Sequence, residues 1–350
     1  MNEAPIWRLT PPDINTAMAA RARARQAMLT KPPGSLGRLE RLAITLSAQQ
    51  HREQPDVDAV RIVIFAGDHG VCAENISAFP QVVTAQMVAN FAAGGAAISV
   101  LARHLGADLE VINTGTVTAQ PRLPGVLDER LGAGTANIVQ APAMTQAQCD
   151  AALDIGVRAA ARAAQAGIGL FVGGEMGIGN TTSATAVASA LLGSDPAALT
   201  GPGTGLAPAG VAHKVDVIRR ALQRHGQDTD PLHVLTSLGG FEINALTGAL
   251  LGCAQHRIPV LVDGFIVSVA ALAACRLQPA LRDWLHFAHR SSEPGHSAVL
   301  GALDADPLLE LDMRLGEGSG AAVAVPLLQA ACRLHNQMAS FDSAGVSHDS

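Results

Sequence analysis

Tyrosine is absent from the chain, aromatic residues make up 3% of it and charged residues only 15%. A binding site here must therefore recognise ligands mostly with backbone, small side chains and a few carboxylates. The formal charge is −6, with no block of like charges, so neither nucleic acid nor an anionic membrane surface is an expected partner. No run of about 18 uninterrupted apolar residues occurs, and Met1 to Thr10 has no apolar signal core. The expectation is a soluble cytosolic protein. Cysteine is sparse and scattered: Cys72, Cys149, Cys253, Cys275 and Cys332 form no CxxC. That argues against a disulfide framework or a structural zinc site and leaves these thiols as small core residues.

What is present is apolar and small. Hydrophobic residues make up 48% of the 350, enough for one large α/β domain or two smaller ones. Asp13 to Met28 reads as a helix with Asp13 as a cap, stopped by Thr30-Lys31-Pro32-Pro33-Gly34. Leu36, Leu39, Leu42, Ala43 and Leu46 mark a second helix. Ala59 to Phe65 is a β-branched run of the kind that forms a buried parallel strand. Helical material over 82–105, broken near Gly94-Gly95, leads to a strand at Leu109 to Ile112. A long helix follows, with Thr145 and Gln148 spaced as a capping box. Gly169 to Val172 is a third strand and Ile258 to Val262 a fourth. Helices are expected over 182–192, 207–224, 243–255, 265–275 and 321–338.

Strands alternating with helices predict a doubly wound, mostly parallel, Rossmann-like α/β sheet. The helical residues 1–29 and 304–350 fall outside the alternation and are expected to form a smaller helical domain beside a large one over 30–303.

Ligands bind such sheets outside the carboxyl ends of the strands, and each expected strand ends in a polar or glycine-rich cluster. These are Gly67-Asp68-His69-Gly70, Asn113-Thr114-Gly115, the stretch from Gly173 to Thr182, and Asp263-Gly264-Phe265. All four are expected to open onto one crevice. In the third, Gly177, Gly179, Asn180, Thr181 and Thr182 lead from a strand into a helix, a ready anion site that matches neither a Walker loop nor GxGxxG. A second loop, Gly201-Pro202-Gly203-Thr204-Gly205, precedes Lys214 by nine residues; Lys214 can meet a phosphate as a point charge, although GxGxG is equally an ordinary turn. Asp68 reads as a brace for its loop. His289 to His296 is dense in polar donors, whether as an exposed loop or as a site.

The last motif, Arg314-Leu315-Gly316-Glu317-Gly318-Ser319-Gly320, sets one carboxylate among glycines at a helix start. Two readings stand side by side. Glu317 is a solvated residue favoured by the helix dipole, or it is a general base.

Lys31 to Glu40, Ala66 to Val71, Gly174 to Thr182, Val262 to Phe265 and Arg314 to Gly320, in that order, closely resemble one family, the nicotinate-nucleotide–dimethylbenzimidazole phosphoribosyltransferases of cobalamin nucleotide-loop assembly. The resemblance implies a homodimer and transfer of phosphoribosyl from nicotinate mononucleotide to dimethylbenzimidazole, giving alpha-ribazole phosphate and nicotinate. It implies Glu317 as catalytic base, and Glu175, Phe79, Gln86, Met87 and Leu315 at the benzimidazole. Gly177, Gly179, Asn180, Thr181, Thr182, Gly203, Gly205, Lys214, Ser291 and Ser292 then belong to the nucleotide and its phosphate. No cofactor and no metal is expected: nicotinate leaves as a pyridine that needs no acid, so one base suffices. The alternatives are a nicotinamide-dinucleotide oxidoreductase, which predicts a GxGxxG after the first strand that is missing, and a non-catalytic nucleotide-binding protein of the same fold.

Overall fold

The computed structural model describes residues 4–119 and 121–347. Six strands form one sheet: β1 (Val60–Gly67), β2 (Asp108–Gly115), β3 (Val126–Asp128), β4 (Leu170–Met176), β5 (Val260–Val262) and β6 (Leu285–Phe287). Their order is β3-β2-β1-β4-β5-β6, and every pairing is parallel. The order reverses between β1 and β4, the switch point where a crevice opens in doubly wound sheets.

Side-chain alternation along β1 divides the core in two. Val63 and Phe65 join Phe171, Val260 and Val262 on one face. Ile62, Ile64 and Ala66 join Val172 and Leu261 on the other. The first face is covered by the helices Gln146–Gln165, Phe241–Gln255 and Phe265–Leu277. The 146–165 and 241–255 helices touch through glycine: a Cβ on Gly156 or Gly248 would run into the opposite backbone. The second face is covered by Arg38–Gln50 and Ser319–Gln337, with Leu42, Leu46, Val325 and Leu328 buried.

By length and composition 82–105 is the one stretch, among the described residues, apolar enough to cross a membrane. It is two helices, Val82–Ala93 and Ala97–Leu105, parted by Gly94 at φ +80. Val88, Phe91, Ile98 and Ala102 bury themselves against the sheet.

The chain ends meet. Leu29 bridges Ser340, and Arg25 donates to the carbonyls of His335 and Asn336 at 2.7 and 2.9 Å. Residues 1–3 and 348–350 of the small unit expected above lie outside the described residues.

Several local expectations need correction. The first helix starts at Thr16, and its cap is Asn15, which accepts from the Met18 N–H, rather than Asp13. The fourth strand holds only Val260–Val262, since Pro259 has no N–H to give a ladder. Strands β3 and β6, of three residues each, and the helices Pro231–Leu238 and His296–Ala302 go unread in the sequence because they are too short to show a period. The Thr145–Gln148 capping box is present.

Candidate active site

A cavity of about 320 Å³ lies beyond the carboxyl ends of β4, β5 and β6. Its walls come from the end of β4 and the turn after it (Glu175, Gly177, Asn180, Thr181), the 201–205 loop (Gly203, Thr204), the residues after β5 (Asp263 to Val267), the segment after β6 (His289, Ser291, Glu293) and the turn Arg314 to Gly316, with Phe79 at the rim. Among the described residues no group of three or more His, Cys, Asp or Glu is placed to hold a metal ion.

The Glu317 turn is strained in a specific way. Gly316, Glu317 and Gly318 take φ of +85, +63 and +76, a left-handed path that a glutamate adopts only at a cost of about 1 kcal/mol or more. The path folds the turn onto β4: a Cβ on Gly316 would collide with the Glu175 carboxylate. The Glu317 N–H donates to that same carboxylate. The Glu317 side chain is buried, and its Oε2 accepts the Ile98 N–H at 3.3 Å, in the first turn of the 97–105 helix.

Two effects therefore oppose each other at Glu317: a helix start favours the anion, and burial disfavours it. Burial prevails. Desolvation, with the nearby Asp263 charge adding, holds the carboxyl above its ordinary value despite the Ile98 hydrogen bond. Glu175 is pushed further, to about 8, by burial and then by the charges of Glu242, Asp263 and Glu317. It is thus largely protonated at neutral pH, hydrogen-bonded to Asn180 Nδ2.

At the other end of the cavity, Lys214 is buried on the Pro208–His225 helix. Its Nζ donates to Thr181 Oγ1 at 2.7 Å and to the Gly201 carbonyl at 3.5 Å. Burial lowers the ammonium to about 8, and Glu293 opposes the fall. Glu293, buried beside it, accepts the Gly203 N–H and has its own carboxyl raised, mainly by desolvation. Asp263 accepts the Ala321 N–H at 2.8 Å and also those of Gly264 and Gly320, so it caps the helix that follows Glu317. His289 Nε2 lies 3.6 Å from Asp263 Oδ1.

Of the site residues expected from sequence, Phe79, Glu175, Gly177, Asn180, Thr181, Gly203, Ser291 and Leu315 line this cavity. Lys214 and Glu317 stand one contact behind its wall, through Thr181 and Glu175. The others stand apart. Gln86 is exposed on the 82–93 helix, and Met87, next to it, packs toward the second core cluster. Gly179 lies against Cys72, and Thr182 is buried inside its helix. Gly205 is exposed at φ +106, and Ser292 is exposed with its N–H on the Met313 carbonyl.

Nor do all four strand ends open onto one crevice. Asp68 accepts Thr84 Oγ1 at 2.6 Å and the Val117 N–H at 2.8 Å, the brace expected of it. Asn113 accepts the N–H groups of Gly115 and Thr116, closing its own turn. These two ends spend their polar groups internally.

The comparisons with known proteins agree in direction. A family model described as phosphoribosyltransferase matches residues 11–346. A Pseudomonas putida protein named nicotinate-nucleotide–dimethylbenzimidazole phosphoribosyltransferase is 60% identical over 341 residues, covering 97% of each chain. One of the same name from Pseudomonas fluorescens is 61% identical over 342 residues, again 97% of each. This chain belongs to that family. A solved structure described as CobT from Thermus thermophilus superposes with a TM-score of 0.92 at 45% identity, covering 95% of this chain and 100% of that one.

Within this nicotinate-nucleotide–dimethylbenzimidazole phosphoribosyltransferase fold, sequence reading misses four side chains that shape the site. Asp263 was visible only as part of a cluster, and His289 and Glu293 only as members of a polar loop. Glu242 carried no local signal at all: it pairs with His69 across 173 positions, Nε2 to Oε1 at 2.6 Å, with both side chains buried.

Proposed function

We propose that this chain is a pentosyltransferase that moves the phosphoribosyl group of nicotinate mononucleotide to dimethylbenzimidazole, giving alpha-ribazole phosphate and nicotinate in cobalamin biosynthesis. Identity of 60% across 97% of a relative of that name supports the activity. The observation that carries the mechanism is the folding of the left-handed Glu317 turn onto Glu175 at the cavity wall.

In the substrate the pyridine nitrogen of nicotinate carries positive charge. When its bond to the anomeric carbon breaks, the electron pair returns to that nitrogen and neutral pyridine departs. One benzimidazole nitrogen supplies the pair for the new bond. The N–H on its other nitrogen becomes acidic as that bond forms, and Glu317 takes the proton. Attack opposite the leaving group inverts the carbon, from a β- to an α-linkage. Such a base is worth roughly 10²–10⁴-fold; holding both substrates in line accounts for the rest. The raised carboxyl of Glu317 suits the task, because a base is most useful when its pKa approaches the working pH.

In this reading Phe79, Leu315 and Glu175 face the benzimidazole, with Gln86 and Met87 on the rim helix. Gly177, Asn180, Thr181, Gly203 and Ser291 receive the nucleotide, and Lys214 reaches its phosphate by leaving Thr181. Gly179, Thr182, Gly205 and Ser292 shape the loops around that phosphate. A homodimer in the cytosol, and the division into 30–303 and 1–29 with 304–350, belong to the same proposal. The bridge between Leu29 and Ser340 supports the division, and limited proteolysis at its boundaries checks it.

Product analysis tests the activity. Nicotinate mononucleotide mixed with a panel of benzimidazoles and purines should yield free nicotinate and an α-linked ribotide of dimethylbenzimidazole. Release of nicotinate with water as the only acceptor would sink the proposal.

A further inference from the structure

The segment after β6 holds a histidine that the mechanism does not use. His296 has no exposed surface, yet both ring nitrogens have partners. The Ser291 N–H lies 2.9 Å from Nδ1, and Ser268 Oγ lies 3.0 Å from Nε2. A backbone amide can only donate, so Nδ1 must present a lone pair and the proton must sit on Nε2, facing Ser268. The ring is therefore neutral and its tautomer is fixed by the structure around it.

Ser291 is the residue so held. Its hydroxyl accepts the Glu293 N–H at 3.3 Å, which leaves the hydroxyl hydrogen free to donate, and the residue lines the cavity. The His296 N–H returns to the Glu293 carbonyl at 3.0 Å and closes the 291–296 turn. Ser268 lies on the helix that follows Asp263, so the imidazole ties the loop after β6 to the element after β5.

We infer that His296 is a positioning residue: its Nε2-protonated ring orients Ser291 so that the serine hydroxyl points at the bound nucleotide. This rests on the reading of the cavity as a nucleotide site. Burial, then the charges of His289 and Arg290, lowers the His296 imidazole to about 3. The acceptor at Nδ1 is thus present at neutral pH.

Two substitutions separate positioning from bulk. In His296→Asn the amide oxygen falls where Nδ1 was and keeps the Ser291 bond. In His296→Gln the amide reaches the Nε2 position, keeps the Ser268 contact and leaves the Ser291 amide without its acceptor. Isothermal titration with nicotinate mononucleotide should show the Gln variant binding roughly tenfold more weakly, the effect of one unpaired buried amide, and the Asn variant within about threefold of wild type on the same scale. Equal weakening by both variants, or none by the Gln variant, overturns the inference.

Amide exchange at Ser291, read on the same proteins without nucleotide, should be slow in wild type and the Asn variant and fast in the Gln variant. Equal exchange in all three also overturns it. A wild type that binds no nucleotide but keeps the exchange pattern would instead reject the nucleotide reading and leave the positioning of Ser291 standing.

Discussion

Two clusters of buried acid stand at neighbouring strand ends, and they behave differently. Beyond β1, Asp68 accepts from Thr84 and Val117, and one carboxylate oxygen of Glu242 meets His69. Beyond β4, Glu175 and Glu317 receive backbone N–H groups and one amide, with no cation paired to either carboxylate among the described residues. The first cluster is tied up by its own fold. Burial raises Asp68 as well; the second cluster differs in keeping its two raised carboxyls beside a cavity, the condition under which an acid can exchange protons with a ligand. Polarity at a strand end is therefore not what marks a site; unneutralised polarity next to open volume is.

The sharpest way to break this comparison is to remove a partner from the internal cluster. His69→Ala leaves Glu242 Oε1 buried without its partner, and an unsatisfied buried group costs about 1–3 kcal/mol, more where it is charged. Chemical denaturation should show a loss of that order, while Glu317→Gln should unfold close to wild type. Equal stability of the two variants would erase the distinction.

The next effect lies at the far end of the cavity. Lys214→Ala should weaken nicotinate mononucleotide by about 10–100-fold, the range for a charge-assisted hydrogen bond, and weaken dimethylbenzimidazole far less. Parallel losses for both ligands would place Lys214 outside the phosphate site.

The last effect is a trend with pH rather than a single loss. The Glu175 carboxyl is raised to about 8 in the fold, by burial first and by three neighbouring carboxylates after it. In the unfolded chain it ionises near 4.5. A group with a raised native pKa contributes stability below its unfolded value and loses it as pH rises through the native one. Glu175→Gln should therefore gain on wild type between about pH 4.5 and 8, by at most about 1.4 kcal/mol per pH unit. A difference that stays constant across that window contradicts the assignment.

Much of this was legible in the chain. The run Val60 to Phe65 announced a buried parallel strand, and the glycines around Asn180 and Glu317 announced close backbone approaches, because local φ and local burial leave local signatures. The partners of those residues left none. Asp263 caps the helix after Glu317 across 58 positions and His69 meets Glu242 across 173, and no spacing rule encodes contacts made only when the sheet closes. Gln86 and Met87 fail to reach the cavity for a related reason: on the 82–93 helix Gln86 is exposed while Met87 packs against the second core cluster. The three-residue strands β3 and β6 were invisible because alternation needs more residues than they have.

The base assignment has one direct test, single-turnover kinetics of Glu317→Gln with both substrates saturating. The account predicts unchanged affinity for nicotinate mononucleotide and a rate lower by roughly 10²–10⁴-fold. A rate near wild type would contradict it.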